Sequence, residues 1–426
     1  MLTICVAGMW HLGSVTAACL ASVGHNAIGI DEDSGVVAAL AQARPPVAEP
    51  GLDELTAREI ATGRLSFSTR FESASRADVV WVAYDTPVDE DDLADVEFVH
   101  SRALRLLDYM KDGAILVVSS QMPVGSVARL ERDFVRRAGG RRISFACAPE
   151  NLRLGKAIEV FLQPDRVVLG VRDRVTQAAL QAVYQPFTDR IEWMSVESAE
   201  MTKHAINSFL ATSICFINEI ANVCEATGAD ATEVERGLKT DQRIGPLAYL
   251  HAGGPIAGGT LARDIAFLRS LGRRGSAPLP LIEGVHTSNE YHKTWLQRRV
   301  TGSLGTLTGR TIAILGLTYK PGTNTLRRSS AVEAARWLRR QGALIQAFDP
   351  QIYQLPQDLE SVISLRANIE GALSGSEALV VMTPCPEFQS IDPELAPPVV
   401  FDASGFLDKA LRARTDIQYY SIGRAN

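Results

Sequence analysis

The residues with the clearest chemical potential lie mid-chain. From Ser198 to Ala226 there is no glycine or proline, and the first one met is Gly228. The stretch therefore predicts one long helix stopped by a glycine. At about 100° per residue, Ile206, Phe209, Leu210, Phe216, Ile217, Ile220 and Cys224 fall on a broad apolar arc. Lys203 and Asn207 stack one turn apart on another edge, with Asn218 and Glu225 further along it. A lysine above an asparagine can hold a water or an anionic oxygen. The same pattern also suits a core helix with a solvated stripe, and both readings stand at this level.

A second group sits at the N-terminus. The apolar run Leu2–Ala7 leads into Gly8-Met-Trp-His-Leu-Gly13, a small-residue helix from Ser14 to about Val23, and a strand Ala27–Asp31 ending in an acid. Strand, glycine turn, helix, strand and acid is the dinucleotide-binding plan. The turn admits a pyrophosphate at a helix N-terminus, and the acid accepts ribose hydroxyls. Trp10 stands where the middle glycine is usual, and Asp31 favours NAD over NADP because it repels a 2′-phosphate.

Further polar turns close apolar runs: Asp85-Thr86-Pro87 after Asp78–Ala83, Ser120-Gln121-Met122-Pro123 after Gly113–Ser119, and Pro149-Glu150 after Arg142–Cys147. Such strand ends line ligand clefts in parallel sheets, although a proline-terminated strand satisfies the same residues. Glu150 reads either as a capping acid or as a cleft carboxylate. The segment from Gly253 to Asp264 is too rich in glycine for a regular element and predicts a tight turn or a ligand-approaching loop.

These residues need elements to hold them. At 426 residues the chain exceeds one ordinary core, so two or three domains are expected. A second α/β pattern begins near Arg310, with strands at Thr311–Leu315, Ala343–Phe348, Ala378–Met382 and Val399–Asp402 and a helix at Ser329–Arg340. The expected fold is α/β: two Rossmann-like parallel sheets, residues 1–195 and 301–426, joined by an all-helical segment, 196–300, that contains the long helix. Helical bridges commonly carry a homodimer contact. With 46% hydrophobic and 22% charged residues the composition is globular, and no apolar run looks long enough to cross a bilayer. Six scattered cysteines without a CxxC pair argue for reduced thiols in a cytoplasmic protein and against a cysteine metal site. A net charge of −6 offers no attraction to nucleic acid or an anionic membrane.

Taken together, these stretches resemble the nucleotide-sugar 6-dehydrogenases (UDP-glucose, UDP-N-acetylmannosamine and GDP-mannose dehydrogenases) over nearly the whole chain. Besides the Gly8–Gly13 turn and Asp31, the resemblance rests on Glu49-Pro-Gly-Leu-Asp-Glu-Leu55, Thr86-Pro87, Pro149-Glu150 and Lys203-His-Ala-Ile-Asn207. Further along it rests on Asp241-Gln-Arg243-Ile-Gly245, Tyr319-Lys320-Pro321 with Arg327, Phe348-Asp-Pro350 and Pro386-Glu-Phe388. It implies NAD-dependent oxidation of a nucleotide-activated sugar at C6, in the service of polysaccharide biosynthesis. On that reading NAD meets Gly8, Trp10, His11, Leu12, Gly13, Asp31, Thr86, Pro87, Gln121, Glu150 and Arg327. Lys203 steadies oxyanions, while Asn207 and Asp264 position and deprotonate a water or the sugar hydroxyl, with Glu150 beside them. Leu152, Lys203, Asn207, Arg243, Gly258 and Lys320 meet the substrate, Arg243 in a neighbouring subunit's site.

The departures from the family pattern are chemical. Thr260, four residues before Asp264, stands where the family has its nucleophilic cysteine, and a threonine hydroxyl has a far higher pKa than a thiol. Gln121 replaces a threonine, Leu154 an acid, and Ala403-Ser404-Gly405 basic residues. Without the thiol, oxidation either stops at the aldehyde or proceeds through its hydrate. The competing readings are an inactive protein that binds NAD and nucleotide sugar, and an epimerase-like activity on tightly held NAD.

Overall fold

The computed structural model describes every residue except 90–93, 138, 151, 257–258, 276, 320, 327–328 and 426. The chain divides into two compact units, Met1–Ile206 and Asn207–Asn426, and the division falls inside the long helix Val196–Thr227.

The first unit is built on an eight-stranded sheet. Its strands are β1 (Thr3–Ala7), β2 (Asn26–Ile30), β3 (Leu65–Ser68), β4 (Val79–Val82), β5 (Ile115–Val118), β6 (Ser144–Cys147), β7 (Val167–Gly170) and β8 (Ile191–Met194). The spatial order is β3-β2-β1-β4-β5-β6-β7-β8, parallel throughout except for the β6–β7 pair. β4 and β5 are buried along their whole length, which is why their sequences are unbroken apolar runs and not alternating ones. Separate apolar clusters cover the two faces, one around Phe71, Leu107 and Phe134, the other around Leu20, Leu52 and Leu180. Strand order reverses between β1 and β4, so a crevice opens beyond their carboxyl ends.

The second unit carries a smaller, wholly parallel sheet: β9 (Thr311–Leu315), β10 (Leu344–Phe348), β11 (Ser364–Leu365), β12 (Ala378–Val381), β13 (Val399–Asp402) and β14 (Gln418–Tyr420). Its order, β11-β10-β9-β12-β13-β14, repeats the Rossmann order and reverses between β9 and β12. Before this sheet come the helices Ala231–Thr240, Thr260–Arg274, Pro280–Lys293 and Trp295–Leu304. The α/β class and the helical middle segment match the expectation from sequence.

Four expectations change. The first helix starts at His11, not Ser14, so the glycine turn is only three residues long. The glycine-rich loop ends at Gly259, and Thr260–Asp264 already lie on a helix. The apolar arc assigned to the long helix is not its buried face, because Phe209 and Phe216 are exposed. Of the arc only Ile217 and Cys224 are buried; the helix also buries Val196, Ala199, Glu200, His204, Asn207, Ser208, Ala211, Cys215, Asn218 and Ala221, a stripe rich in polar side chains. By length and composition this helix is apolar enough to span a bilayer, contrary to the reading of the sequence. Its buried acid, histidine and asparagines have hydrogen-bond partners in the protein, as a core helix requires.

Candidate active site

The glycine turn is shaped by two close approaches. Gly8 has φ +93°, and a Cβ there would lie 2.7 Å from Tyr84 backbone; a Cβ on Gly13 would lie 1.8 Å from the Gly8 carbonyl oxygen. Only glycine permits this path at either position. The helix His11–Ser22 that follows has no side-chain cap, since Trp10 occupies the N-cap position. Its first N–H groups and the positive end of its dipole are thus left for an anion. Asp31 sits at the end of β2, one carboxylate oxygen accepting the Met9 N–H at 2.7 Å and the other the Asp33 N–H at 3.0 Å. Each oxygen keeps further acceptor capacity.

Beside the turn lies a groove of about 440 Å³ lined by Gly8, Trp10, Asp31, Glu32, Tyr84, Pro87, Phe98 and Arg102. The buried Tyr84 hydroxyl has no hydrogen-bond partner among the described residues. Uncapped helix, half-buried acid, orphaned hydroxyl and glycine cradle are the features a dinucleotide requires, and they fit NAD. Not every turn residue faces this groove. His11 donates to buried Glu49 at 2.9 Å, and Glu49 also accepts the N–H groups of Gly155 and Ala157. Burial works to raise the Glu49 carboxyl, but those hydrogen bonds outweigh it and hold the group below its ordinary value. Leu12 packs into the core beneath.

The carboxyl ends of β5 and β6 form a second, narrower cleft of about 20 Å³, room for about one water. It brings Gln121, Glu150 and Lys203 together with Ser119, Met122, Cys147, Glu200 and His204. Thr86 donates to the Gln121 carbonyl at 2.7 Å, so two neighbouring strand ends are tied there. The Lys203 ammonium donates to the Glu150 carbonyl at 2.6 Å and lies 3.9 Å from its carboxylate. The other Glu150 oxygen accepts the Leu152 N–H at 2.6 Å. Glu150 is therefore a cleft carboxylate that also fixes its own turn.

Glu200 and His204 were not singled out from sequence. Glu200 accepts the N–H groups of Gly125 and Val127 and so caps the helix Ser126–Val135. Burial pushes its carboxyl up, partly countered by those two bonds. His204 donates to the Met122 carbonyl at 3.0 Å. Together they fix Lys203's helix against the strand ends. Their partners lie more than 70 residues away in sequence, so no local pattern announces them.

In the second unit Asn207 donates to Asp264, which is fully buried. Asp264 lies on the helix Thr260–Arg274, just past its first turn. Gly259, at φ +101°, is the N-cap, and a Cβ there would lie 3.6 Å from the Tyr319 hydroxyl. Thr260 is the first helical residue and is exposed. The glycine-rich loop leading to it is pinned by side chains not anticipated from sequence. Asn218 accepts the Gly253 N–H at 3.0 Å, His292 donates to the Gly253 carbonyl at 2.7 Å, and Asn289 bonds both backbone groups of Ile256. Arg243 is exposed and paired with Asp241. Gly258, Lys320 and Arg327 lie outside the described residues.

No cysteine offers a ready thiolate. All six are buried, and burial pushes the Cys215 and Cys385 thiols up to about 11 and raises Cys147 well above its ordinary value.

Comparison with known proteins gives a consistent result. Residues 2–188 match the NAD binding domain of the UDP-glucose/GDP-mannose dehydrogenase family, residues 197–291 its central domain and residues 313–409 its UDP binding domain. A UDP-glucose 6-dehydrogenase of Bacillus subtilis is 34% identical over 99% of this chain and 98% of its own length. One from Rhizobium meliloti is 32% identical over 99% of both. Among solved structures, a UDP-glucose dehydrogenase from Pyrobaculum islandicum superposes with a TM-score of 0.90 at 30% identity, covering 100% of this chain and 98% of the other. A UDP-D-ManNAc dehydrogenase from Pyrococcus horikoshii shares the fold, with a TM-score of 0.86 at 22% identity over 99% of both chains.

Proposed function

The chain belongs to the UDP-glucose/GDP-mannose dehydrogenase family and is an NAD-dependent oxidoreductase of nucleotide sugars; from that premise we propose that it oxidises a UDP-glucose-like substrate at C6 by one hydride transfer, without a covalent thiohemiacetal. The Bacillus subtilis and Rhizobium meliloti relatives named above are UDP-glucose 6-dehydrogenases, and the match to a UDP binding domain supports the same nucleotide.

Bound NAD supplies the hydride acceptor. Asp31 and the groove beside it would hold its adenosine end, and the uncapped start of the first helix would hold its pyrophosphate. Lys203, oriented by Glu150, holds positive charge where an oxyanion develops at the sugar C6 oxygen. Asp264 accepts the hydroxyl proton, directly or through a water, and Asn207 fixes the carboxylate's orientation.

The observation that carries the reading is that these acid–base groups are present and partnered while the nucleophile's position is Thr260. A threonine hydroxyl at a helix start has no thiolate character, so the second oxidation lacks its covalent route. The first oxidation needs only a base, an oxyanion partner and NAD. The expected product is the C6 aldehyde, one NADH appearing per UDP-glucose consumed. A ratio of two would replace this with oxidation through the hydrated aldehyde. Binding of NAD and UDP-glucose with no NADH across a nucleotide-sugar panel would replace it with a binding protein. Tightly retained NAD with no net NADH would point to epimerisation.

The central helices are proposed as a homodimer contact. Phe209, Phe216 and Val223 recur every seven residues along one edge of the long helix and are all exposed, as an unpaired helix seam would be. Their replacement by serine should leave a monomer on light scattering, and an unchanged mass would refute the contact.

A further inference from the structure

The groove beside Asp31 holds charges that the proposed hydride transfer does not use. Glu32 directs both carboxylate oxygens at arginines of the helix Val96–Tyr109: Arg102 Nε lies 2.9 Å from one and Arg105 Nη1 2.6 Å from the other. The two arginines are three residues apart and share a helix face. Each guanidinium also rests on an aromatic ring. Arg102 Cζ is 3.6 Å from the Phe98 ring centre and 5.9 Å from that of Tyr84, and Arg105 Cζ is 4.1 Å from that of Phe71. Arg102 lines the groove with Asp31, Glu32 and the unpartnered Tyr84 hydroxyl.

Two guanidinium groups held in fixed planes side by side are the apparatus that elsewhere grips a phosphate. Here a single carboxylate occupies both. Asp31 alone would explain only repulsion of a 2′-phosphate; it would leave two cations nearby to attract one. We propose that Glu32 is a specificity-determining residue for the cofactor: by occupying Arg102 and Arg105 it closes a latent 2′-phosphate site, so that the enzyme takes NAD and rejects NADP. Asp33 and Asp85 also line the groove, so the site stays acidic overall; what loss of the Glu32 carboxylate changes is local, leaving Arg102 and Arg105 without the partner they share.

The inference rests on the adenosine end of NAD lying in this groove. Its test is equilibrium binding of NAD and NADP by titration calorimetry to the intact protein, with thermal unfolding as the control for folding. Glu32→Gln and Glu32→Ser are made in parallel, so that a folding defect in one leaves the other to report. Each is expected to tighten NADP about tenfold while NAD changes by less than about threefold. Arg102→Ala added to Glu32→Gln should abolish the gain, and raised salt should erode it. If NADP stays as weak in both Glu32 variants, or the gain survives loss of Arg102, Glu32 does not mask a phosphate site. If Asp31→Ala leaves NAD affinity intact, the placement of the adenosine end itself fails, which is a separate result.

Discussion

The two sheets of this protein repeat one motif and use it differently. In each, the first strand ends in a glycine with positive φ packed against the strand across the switch point: Gly8 on Tyr84, and Gly316 on Thr383, where a Cβ would meet the carbonyl oxygen at 2.1 Å. In each, the second strand ends in an aspartate that accepts N–H groups from the first turn. Asp31 takes one N–H from that turn and stays partly exposed. Asp349 is buried and accepts the N–H groups of Leu317, Thr318 and Gln351. The helices differ in the same sense. The one at His11–Ser22 starts three residues after β1 without a side-chain cap, whereas Ser330–Arg340 is capped by the Ser329 hydroxyl on the N–H groups of Ala331 and Val332. The first helix start leaves its hydrogen-bonding capacity open for a ligand; the start of the helix Ser330–Arg340 satisfies its own through Ser329.

The sharpest way to break this contrast is to fill both turns. Gly13→Ala should weaken NAD binding by on the order of a hundredfold, because its Cβ forces the Gly8 carbonyl out of place. Gly316→Ala should lower stability by at least about 2 kcal/mol, from the positive φ and the clash with Thr383, with NAD affinity unchanged in the protein that folds. Calorimetric titration and thermal unfolding of both variants separate the effects. Equal losses of NAD affinity would erase the distinction.

The acids give a smaller and cleaner version. Asp31→Ala is expected to cost NAD about 10- to 100-fold in affinity, the worth of hydrogen bonds to a charged group. Asp349→Ala removes the acceptor of three backbone N–H groups and should cost about 3 kcal/mol of stability without touching NAD. Denaturant melts and NAD titrations read the two outcomes.

Much of this contrast was open to a reader of the sequence, but not all of it. The central strands β1, β4, β5, β9, β12 and β13 are short buried apolar runs, and such runs are visible because nothing but a sheet interior requires them. Gly8, Gly13 and Asp31 were visible for a similar reason: their spacing is dictated by backbone geometry. Edge strands such as β3 and β11 were not seen, since two to four half-exposed residues carry no distinctive period. The buried face of the long helix was misread because periodicity registers apolar side chains and not partners. His204, Asn207 and Asn218 are buried since Met122, Asp264 and Gly253 receive or supply their hydrogen bonds, and those residues lie 35 to 82 positions away. The exposed Phe209 and Phe216 show the converse error.

Acid titration sharpens the contrast through Glu49, which ties His11, the first residue of the uncapped helix, to the loop after β6. Its carboxyl is held below the ordinary value, so its bonds stabilise the protein above about pH 4.5 and lose that effect as the pH falls through the lowered value. Glu49→Gln should therefore unfold more easily than wild type at neutral pH, by about 1–2 kcal/mol, and the difference should shrink in acid. A difference that grew on acidification would mean that the carboxylate is not what the loop depends on.

The smallest effect tests the capping difference directly. Trp10 has extended backbone angles, φ −85° and ψ −153°, suited to a capping residue, and its side chain is 49% exposed. Trp10→Asp should therefore supply the missing cap, stabilising the first helix by about 1 kcal/mol and raising the unfolding temperature by a few degrees at most. The same change places a carboxylate against the N–H groups reserved for a pyrophosphate, so NAD should bind several-fold more weakly. Ser329→Ala is the mirror image: it should lose about 1 kcal/mol of stability and leave NAD affinity alone. Opposite signs of stability and binding in Trp10→Asp are what a helix start kept open for a ligand entails. If stability and NAD affinity rose together, the uncapped turn would be an unoptimised helix end and the pyrophosphate would have to sit elsewhere.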